Sequence, residues 1–87
     1  MVYIDKFGNG ITNIRGGMVG RSFDLVCEVF GRKVVRCPLV NFYQAVLHGK
    51  PAAIIGSSGF LEIAVNGGSA EKQLGLKLGM VVIVRCR

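Results

Sequence analysis

Two strand-like segments and the tight turn between them form the stretch Ala52-Ala53-Ile54-Ile55-Gly56-Ser57-Ser58-Gly59-Phe60-Leu61-Glu62-Ile63-Ala64-Val65. In the second segment Leu61, Ile63 and Val65 fall on one face, while Glu62 and Ala64 fall on the other, because side chains alternate along a strand. The alternation predicts a half-buried strand at 60–65, preceded by a strand at 52–55. Glu62 either meets solvent or lines a polar pocket, and the pattern is compatible with both.

The rest of the chain continues this pattern of short strands and turns. Its thirteen glycines are about twice the average frequency of roughly 7%, which is typical of a turn-rich chain. Further strands are predicted at 2–5, 11–14, 22–30, 33–36 and 81–85. In the strand at 22–30, Phe23, Leu25, Cys27 and Val29 would share one face, with Asp24 and Glu28 on the other. We therefore predict an all-β fold, a small antiparallel β-barrel of about seven strands, with a sandwich as the alternative.

Turn and cap signals complete the outline. Asn9-Gly10 predicts a hairpin turn after the first strand, and 15–21 is a glycine-rich loop. Residues 41–48 are ambiguous between a helical turn and irregular structure. Ser69 is a predicted N-cap for one short helix at 70–74, with Glu71 in its first turn and Gly75 as its stop.

Size and composition predict one domain over residues 1–87. The chain is 51% hydrophobic, yet no apolar run approaches the ~20 residues that span a bilayer. No signal peptide is recognisable, so we expect a cytoplasmic protein without a membrane partner. Cys27, Cys37 and Cys86 lack the spacing of a disulfide framework or a zinc site, so free, non-catalytic thiols are expected.

The charged residues give no sign of an active site within the chain. The formal net charge is +6, but the cations are scattered and form no basic run. His48 is the only histidine, so neither a Ser/His/Asp nor a Cys/His arrangement can be assembled, and the acids lack metal-ligand spacing. We predict no catalytic residue, no metal and no cofactor.

The remaining functional possibility is a surface that binds a ligand. Near the start of the chain Phe7 offers a ring, Asn9 an amide and Asp5 a carboxylate, which suit a base, a purine edge and an ammonium group. Ser57 and Ser58 offer hydroxyls, and Gly67-Gly68 leaves backbone groups open to a ligand. By themselves the residues near the start of the chain are better explained as a turn and a core residue, and the second stretch can be a plain tight turn.

Four blocks of sequence settle this ambiguity through a family resemblance. They are Tyr3-Ile4-Asp5-Lys6-Phe7-Gly8-Asn9 with Ile11-Thr12-Asn13-Ile14, then 43–49, then 57–68, then Leu74-Gly75-Leu76-Lys77-Leu78-Gly79. Together they resemble the C-terminal domain of the S-adenosylmethionine hydroxide adenosyltransferases, relatives of the fluorinases and chlorinases. Ser58 and Val65 stand where the halogenases carry arginines, and with Glu62 this departure favours the hydroxide branch.

The resemblance implies a role for each site residue. Asn9 would bind the adenine, and Phe7 and Tyr43 would pack on the ligand. Asp5 would hold the methionine amino group, Ser57 and Ser58 the methionine carboxylate, and backbone near Gly67 the adenine amine; Glu62 and Val65 complete the substrate-binding set. Gly10 replaces a larger apolar residue of the family, which would loosen the wall beside the ligand.

The resemblance also implies partners. In this family a larger N-terminal α/β domain carries the water-activating residues, and the pocket closes between subunits of a trimer. S-adenosylmethionine would be the substrate, not a cofactor, cleaved by water to adenosine and methionine. We therefore expect this chain to be a C-terminal domain without its N-terminal partner, inactive alone and binding ligand weakly or not at all.

Two other functions stay open from the residues alone. One is a stand-alone basic β-barrel that binds single-stranded nucleic acid through Phe7, Phe42 and Tyr43, although nucleic acid is the less expected partner. The other is a purely structural oligomerisation module.

Overall fold

A computed structural model describes residues 1–19, 25–31 and 33–86 of the chain. Its seven strands are Tyr3–Ile4 (β1), Gly10–Arg15 (β2), Leu25–Phe30 (β3), Val34–Pro38 (β4), Pro51–Ile55 (β5), Phe60–Val65 (β6) and Val81–Cys86 (β7). Two short α-helices, Gly16–Val19 (α1) and Ala70–Leu74 (α2), and a 3-10 turn, Tyr43–Ala45, complete the elements. The predicted all-β class is therefore confirmed.

The strands form two antiparallel sheets. One has the order β1-β2-β6-β5 and the other the order β4-β3-β7. The sheets meet where Leu39, just after β4, bridges Ala53 of β5. A closed barrel would need continuous pairing around the whole structure. Within the described ranges β1 pairs only with β2, and the β4–β5 link is this single bridge. The predicted barrel closure is therefore wrong.

The core lies between the facing sides of the two sheets. Leu61 and Ile63 of β6 are fully buried, as are Cys27 and Cys37 of the second sheet. The alternation expected at 60–65 is confirmed, because Leu61, Ile63 and Val65 all belong to this core. β6 pairs on both sides, with β2 and β5, so it is the strand around which the first sheet is organised.

Cys27 and Cys37 face each other across the β3–β4 pair, and both are free. Burial raises the pKa of the Cys27 thiol to about 12 and that of the Cys37 thiol to about 11. Both are therefore protonated at neutral pH, and they act as small apolar core residues. The side chain of Cys86 lies outside the described part of the structure.

Glu28 connects the three strands of the second sheet on the side away from the core. Arg36 of β4 donates from Nε to Glu28 Oε2 at 3.1 Å. Arg85 of β7 forms an ion pair with Glu28 Oε1 at 2.9 Å, although its N–H is not aligned for a hydrogen bond. The buried carboxylate is thus neutralised from both neighbouring strands, which burial of a charge requires.

The predicted strand limits are partly correct. The strand at 60–65 is confirmed as predicted, and those at 11–14, 33–36, 52–55 and 81–85 shift at their ends. The strand at 22–30 is observed as Leu25–Phe30, and Phe23 and Asp24 lie outside the described residues. Of the predicted glycine-rich loop at 15–21, Arg15 ends β2 and Gly16–Val19 form α1, whose Gly16 N–H donates to Gly59 O at 2.8 Å. Residues 20 and 21 lie outside the described residues.

The first hairpin turn is not at Asn9-Gly10. Gly8 N–H donates to Asp5 O and Asp5 N–H donates to Asn9 O, both at 3.0 Å, so the turn lies at 5–8 and Gly10 begins β2. The Asp5 side chain fixes the position of the turn, because its carboxylate accepts backbone N–H groups inside the turn, as in an Asx turn.

The short helix α2 begins and ends as its sequence predicts. Ser69 Oγ accepts the N–H of Lys72 at 3.2 Å, which satisfies one of the unpaired N–H groups of the first turn. Gly75 ends the helix in the left-handed conformation, with φ 69°, which glycine adopts at little cost.

Candidate functional site

The turn that follows β1 is held by the carboxylate of Asp5. Its Oδ1 accepts the N–H groups of Phe7 and Asn9, each at 2.9 Å. Its Oδ2 accepts the side-chain amide of Asn9 at 3.3 Å. The Phe7 ring is left 67% exposed, with Lys6 Nζ 5.3 Å from its centroid. The turn therefore presents an aromatic face and an oriented amide to the outside.

Gly8 attaches this turn, called the Asp5 turn below, to the start of α2. It has φ +84°, and a methyl group on its Cα would overlap Oγ and Cβ of Ser69. Its carbonyl accepts the N–H of Glu71 at 2.7 Å. The two stretches that carry the candidate site residues, 3–9 and 57–70, are therefore brought into direct contact.

Glu62 lies in the middle of β6, opposite Ile11 of β2 and on the face away from the core. Its carboxylate rests against Gly56, where a methyl group would overlap Oε2. Burial, and secondarily the charge of Asp5, raises the pKa of the Glu62 carboxyl. Of the two alternatives that the sequence left open, a partly enclosed polar surface fits this position better than free solvent.

Ser57 and Ser58 lie at the opposite end of β6 from the Asp5 turn. They occupy the β5–β6 turn, which closes through Gly59 N–H to Gly56 O and Gly56 N–H to Phe60 O, both at 2.9 Å. Both serines are exposed. The length of β6 separates the two ends by roughly 16 Å. The Asp5 turn and the two serines therefore lie at opposite ends of β6, with Glu62 between them.

Gly67 lies at the Asp5 end of β6, and His48, which is not among the predicted site residues, lies against it. Gly67 has φ +79°, and a methyl group there would overlap the His48 imidazole. Gly49 N–H donates to Asn66 O at 2.8 Å, and Gln73 Nε2 donates to Gly49 O at 2.6 Å. No local signal in the sequence predicts this contact, because the two residues are distant along the chain.

The positions of Tyr43, Val65 and Gly10 complete the set of residues that the sequence singled out. Tyr43 belongs to the 3-10 turn beside β5, across β6 from the strand that carries the Asp5 turn. Val65 is 3% exposed in the core, so its side chain is not on the site surface. Gly10 is buried too, and Met1 and Leu76 fill the space beside its Cα. The lack of a side chain at Gly10 therefore leaves room for Met1 and Leu76 to pack in the core.

Over the described ranges, no group of three His, Cys, Asp or Glu residues is placed to hold a metal ion. No helix in the same part of the chain is long and apolar enough to cross a membrane.

Residues 1–83 match the family model described as the S-adenosylmethionine hydroxide adenosyltransferase C-terminal domain. The chain belongs to this family. Its membership agrees with the blocks of sequence that resemble the family, since the match includes all of them. It gives no support to the alternative of a nucleic-acid-binding barrel.

Relatives of this adenosyltransferase C-terminal domain come from Thermus thermophilus and Thermotoga maritima. The chain is 46% identical over 78 residues to the (R)-S-adenosyl-L-methionine hydrolase of Thermus thermophilus, covering 90% of this chain and 28% of that protein. A conserved protein of Thermotoga maritima has a similar structure with TM-score 0.83 and 37% identity, over 98% of this chain and 33% of the other. The crystal structure of a conserved hypothetical protein from Thermus thermophilus is similar with TM-score 0.73 and 42% identity, over 97% of this chain and 32% of the other. This chain spans about a third of the length of these proteins.

Proposed function

We propose that this domain is the substrate-holding part of an enzyme that cleaves S-adenosylmethionine with water to adenosine and methionine. The observation that carries the proposal is the Gly8–Ser69 contact. It fixes the aromatic and amide groups of the Asp5 turn at one end of β6, while the paired serines lie at the other end. This spacing suits an elongated ligand with a base at one end and an amino acid at the other.

Each end of β6 offers the groups that one end of the ligand requires. Asn9 can read the adenine edge through its amide, and the exposed Phe7 ring can pack on the ligand. Backbone at Gly67 lies at this same end of β6. Ser57 and Ser58 can donate hydroxyls to the methionine carboxylate. Tyr43 is proposed as a further packing group on the β5 side.

The water-activating residues would belong to the part of the enzyme that this chain does not span. The relatives are about three times as long, and the surface described above is open. A closed pocket would then require an N-terminal α/β domain, contributed within a cytoplasmic trimer. Because the ligand would be enclosed only when that second surface is present, ligand binding by the 87 residues alone is expected to be weak.

An assay of S-adenosylmethionine cleavage tests this proposal. The purified chain is expected to release no adenosine, whereas a hybrid in which it replaces the matching segment of the Thermus thermophilus hydrolase is expected to be active. In the hybrid, Asn9→Ala should raise KM about 10-fold or more, because a buried amide contact to the base is lost. Asn13→Ala removes an exposed amide from β2 and serves as the control.

Two results would contradict the proposal. The first is turnover by the 87-residue chain alone. The second is a folded hybrid in which Asn9→Ala and Asn13→Ala have the same KM.

A further inference from the structure

We propose that the outer face of the second sheet, the side of β4, β3 and β7 that points away from the core, is the surface on which the N-terminal domain of the full enzyme docks. The inference rests on the proposed function only for the presence of that domain, and no ligand contact enters it. Four exposed apolar side chains, called the outer patch below, define the surface: Phe30, Val34, Val81 and Ile83.

The register of the second sheet places the outer patch on one side. Phe30 lies directly opposite Val34 of β4 and Val81 of β7, and directly opposite residues of an antiparallel pair project from the same face. Cys27 and Val29 of the same strand point into the core instead. Val34 and Val81 are 52% and 58% exposed, so a continuous apolar row is open to the outside. Contiguous exposed apolar side chains, unlike single ones, mark a contact surface.

Two arginines lie beside the outer patch in a fixed orientation. Glu28 lies in the next row of the sheet, between Arg36 and Ile83. Arg36 and Arg85 each approach this buried carboxylate through Nε, at 3.1 and 2.9 Å. Their side chains are nevertheless 72% and 58% exposed. Because a guanidinium has further N–H donors beyond Nε, each arginine can also bind an anionic group of a partner.

The charge of this face selects an acidic partner. Two exposed arginines against one buried carboxylate leave the face positive. A partner surface with an apolar centre and carboxylates beside it would therefore fit both the outer patch and its arginines. A second copy of the chain fits poorly, because face-to-face pairing would bring the arginines of the two copies together, and each copy carries a net charge of +6.

The N-terminal domain of the full enzyme is the protein partner that the family provides. The family match is to a C-terminal domain, and the chain covers only 28% of the Thermus thermophilus hydrolase and 33% of the Thermotoga maritima protein. A domain joined through the same chain is held at high local concentration, so a small apolar surface suffices for docking. The core separates the outer patch from the β6 surface. Docking here therefore leaves the ligand surface free to be enclosed by another subunit.

Hydroxyl-radical labelling read by mass spectrometry tests the inference by comparing the isolated chain with the Thermus thermophilus hybrid described above. Phe30 and Ile83 are expected to be labelled several-fold less in the hybrid. Val81→Glu places a carboxylate in the outer patch, against an acidic partner, and should restore the labelling of Phe30. Leu47→Glu, at an exposed position outside the patch, is the control and should leave Phe30 protected. Both variants of the isolated chain should unfold at the wild-type urea concentration, because surface substitutions have small effects.

Three results would overturn the inference. The first is equal labelling of Phe30 in the isolated chain and the folded hybrid, and the second is an equal effect of Val81→Glu and Leu47→Glu. The third is a dimer of the isolated chain in ultracentrifugation that Val81→Glu abolishes, since it would assign the outer patch to a second copy. A folded hybrid without activity would contradict the proposed function, whereas the labelling of Phe30 would still decide where the N-terminal domain docks.

Discussion

Leu61→Ala is expected to lower the free energy of unfolding by about 2–5 kcal/mol, the range for removing a large aliphatic side chain from a packed core. Leu61 is fully buried on β6, the strand that pairs with both β2 and β5. Small domains are stable by only ~5–15 kcal/mol in total. Urea unfolding followed by circular dichroism measures the change.

Leu47→Ala is the control for this substitution, because Leu47 is 77% exposed. It removes the same atoms from the surface, and its effect should stay within about 0.5 kcal/mol. A Leu61→Ala variant as stable as Leu47→Ala would show that β6 is not the centre of the core.

Gly8→Ala is expected to destabilise the chain by about 2–4 kcal/mol and to weaken adenosine binding, because two costs combine. A side chain at φ +84° is strained, and the new methyl group overlaps Ser69. Relief of the overlap would separate the Asp5 turn from α2 and break the bond from Glu71 N–H to Gly8 O. Urea unfolding gives the stability, and adenosine titration gives the binding.

Gly17→Ala provides the matched comparison for Gly8→Ala. Gly17 does not have positive φ, and a methyl group there meets no atom within 4 Å. Alanine is also the better helix former, so Gly17→Ala should be neutral or slightly stabilising. Equal stability of the two variants would mean that the turn is not attached to α2 as described.

The elements that can be predicted from the sequence are those specified by neighbouring residues. The limits of α2 follow from the Ser69 cap and the Gly75 stop, which lie close together along the chain. The strand at 60–65 follows from its own alternation. Both are local signals, so they require no knowledge of the rest of the fold.

The incorrect predictions concern contacts between distant residues or competing local signals. Sheet closure depends on which edges pair, and strand patterns do not encode this. Asn9-Gly10 is a strong turn signal and predicts the first turn there. The Asp5 side chain and the packing of Met1 and Leu76 on Gly10 nevertheless determine the observed geometry.

The candidate site is only partly predictable for the same reason. The resemblance selects the residues of the Asp5 turn and of 57–68, but it cannot show that they lie along one strand. The contact of His48 with Gly67, the burial of Val65 and the occupied carboxylate of Asp5 all depend on the assembled fold.

The most direct test of a substrate-holding surface along β6 is amide chemical-shift mapping of the isotope-labelled chain with adenosine at millimolar concentrations. The account predicts weak, saturable shifts at Phe7, Gly8, Asn9 and residues 66–69, with little change in β3, β4 and β7. Saturable shifts centred on β3, β4 and β7 would contradict it.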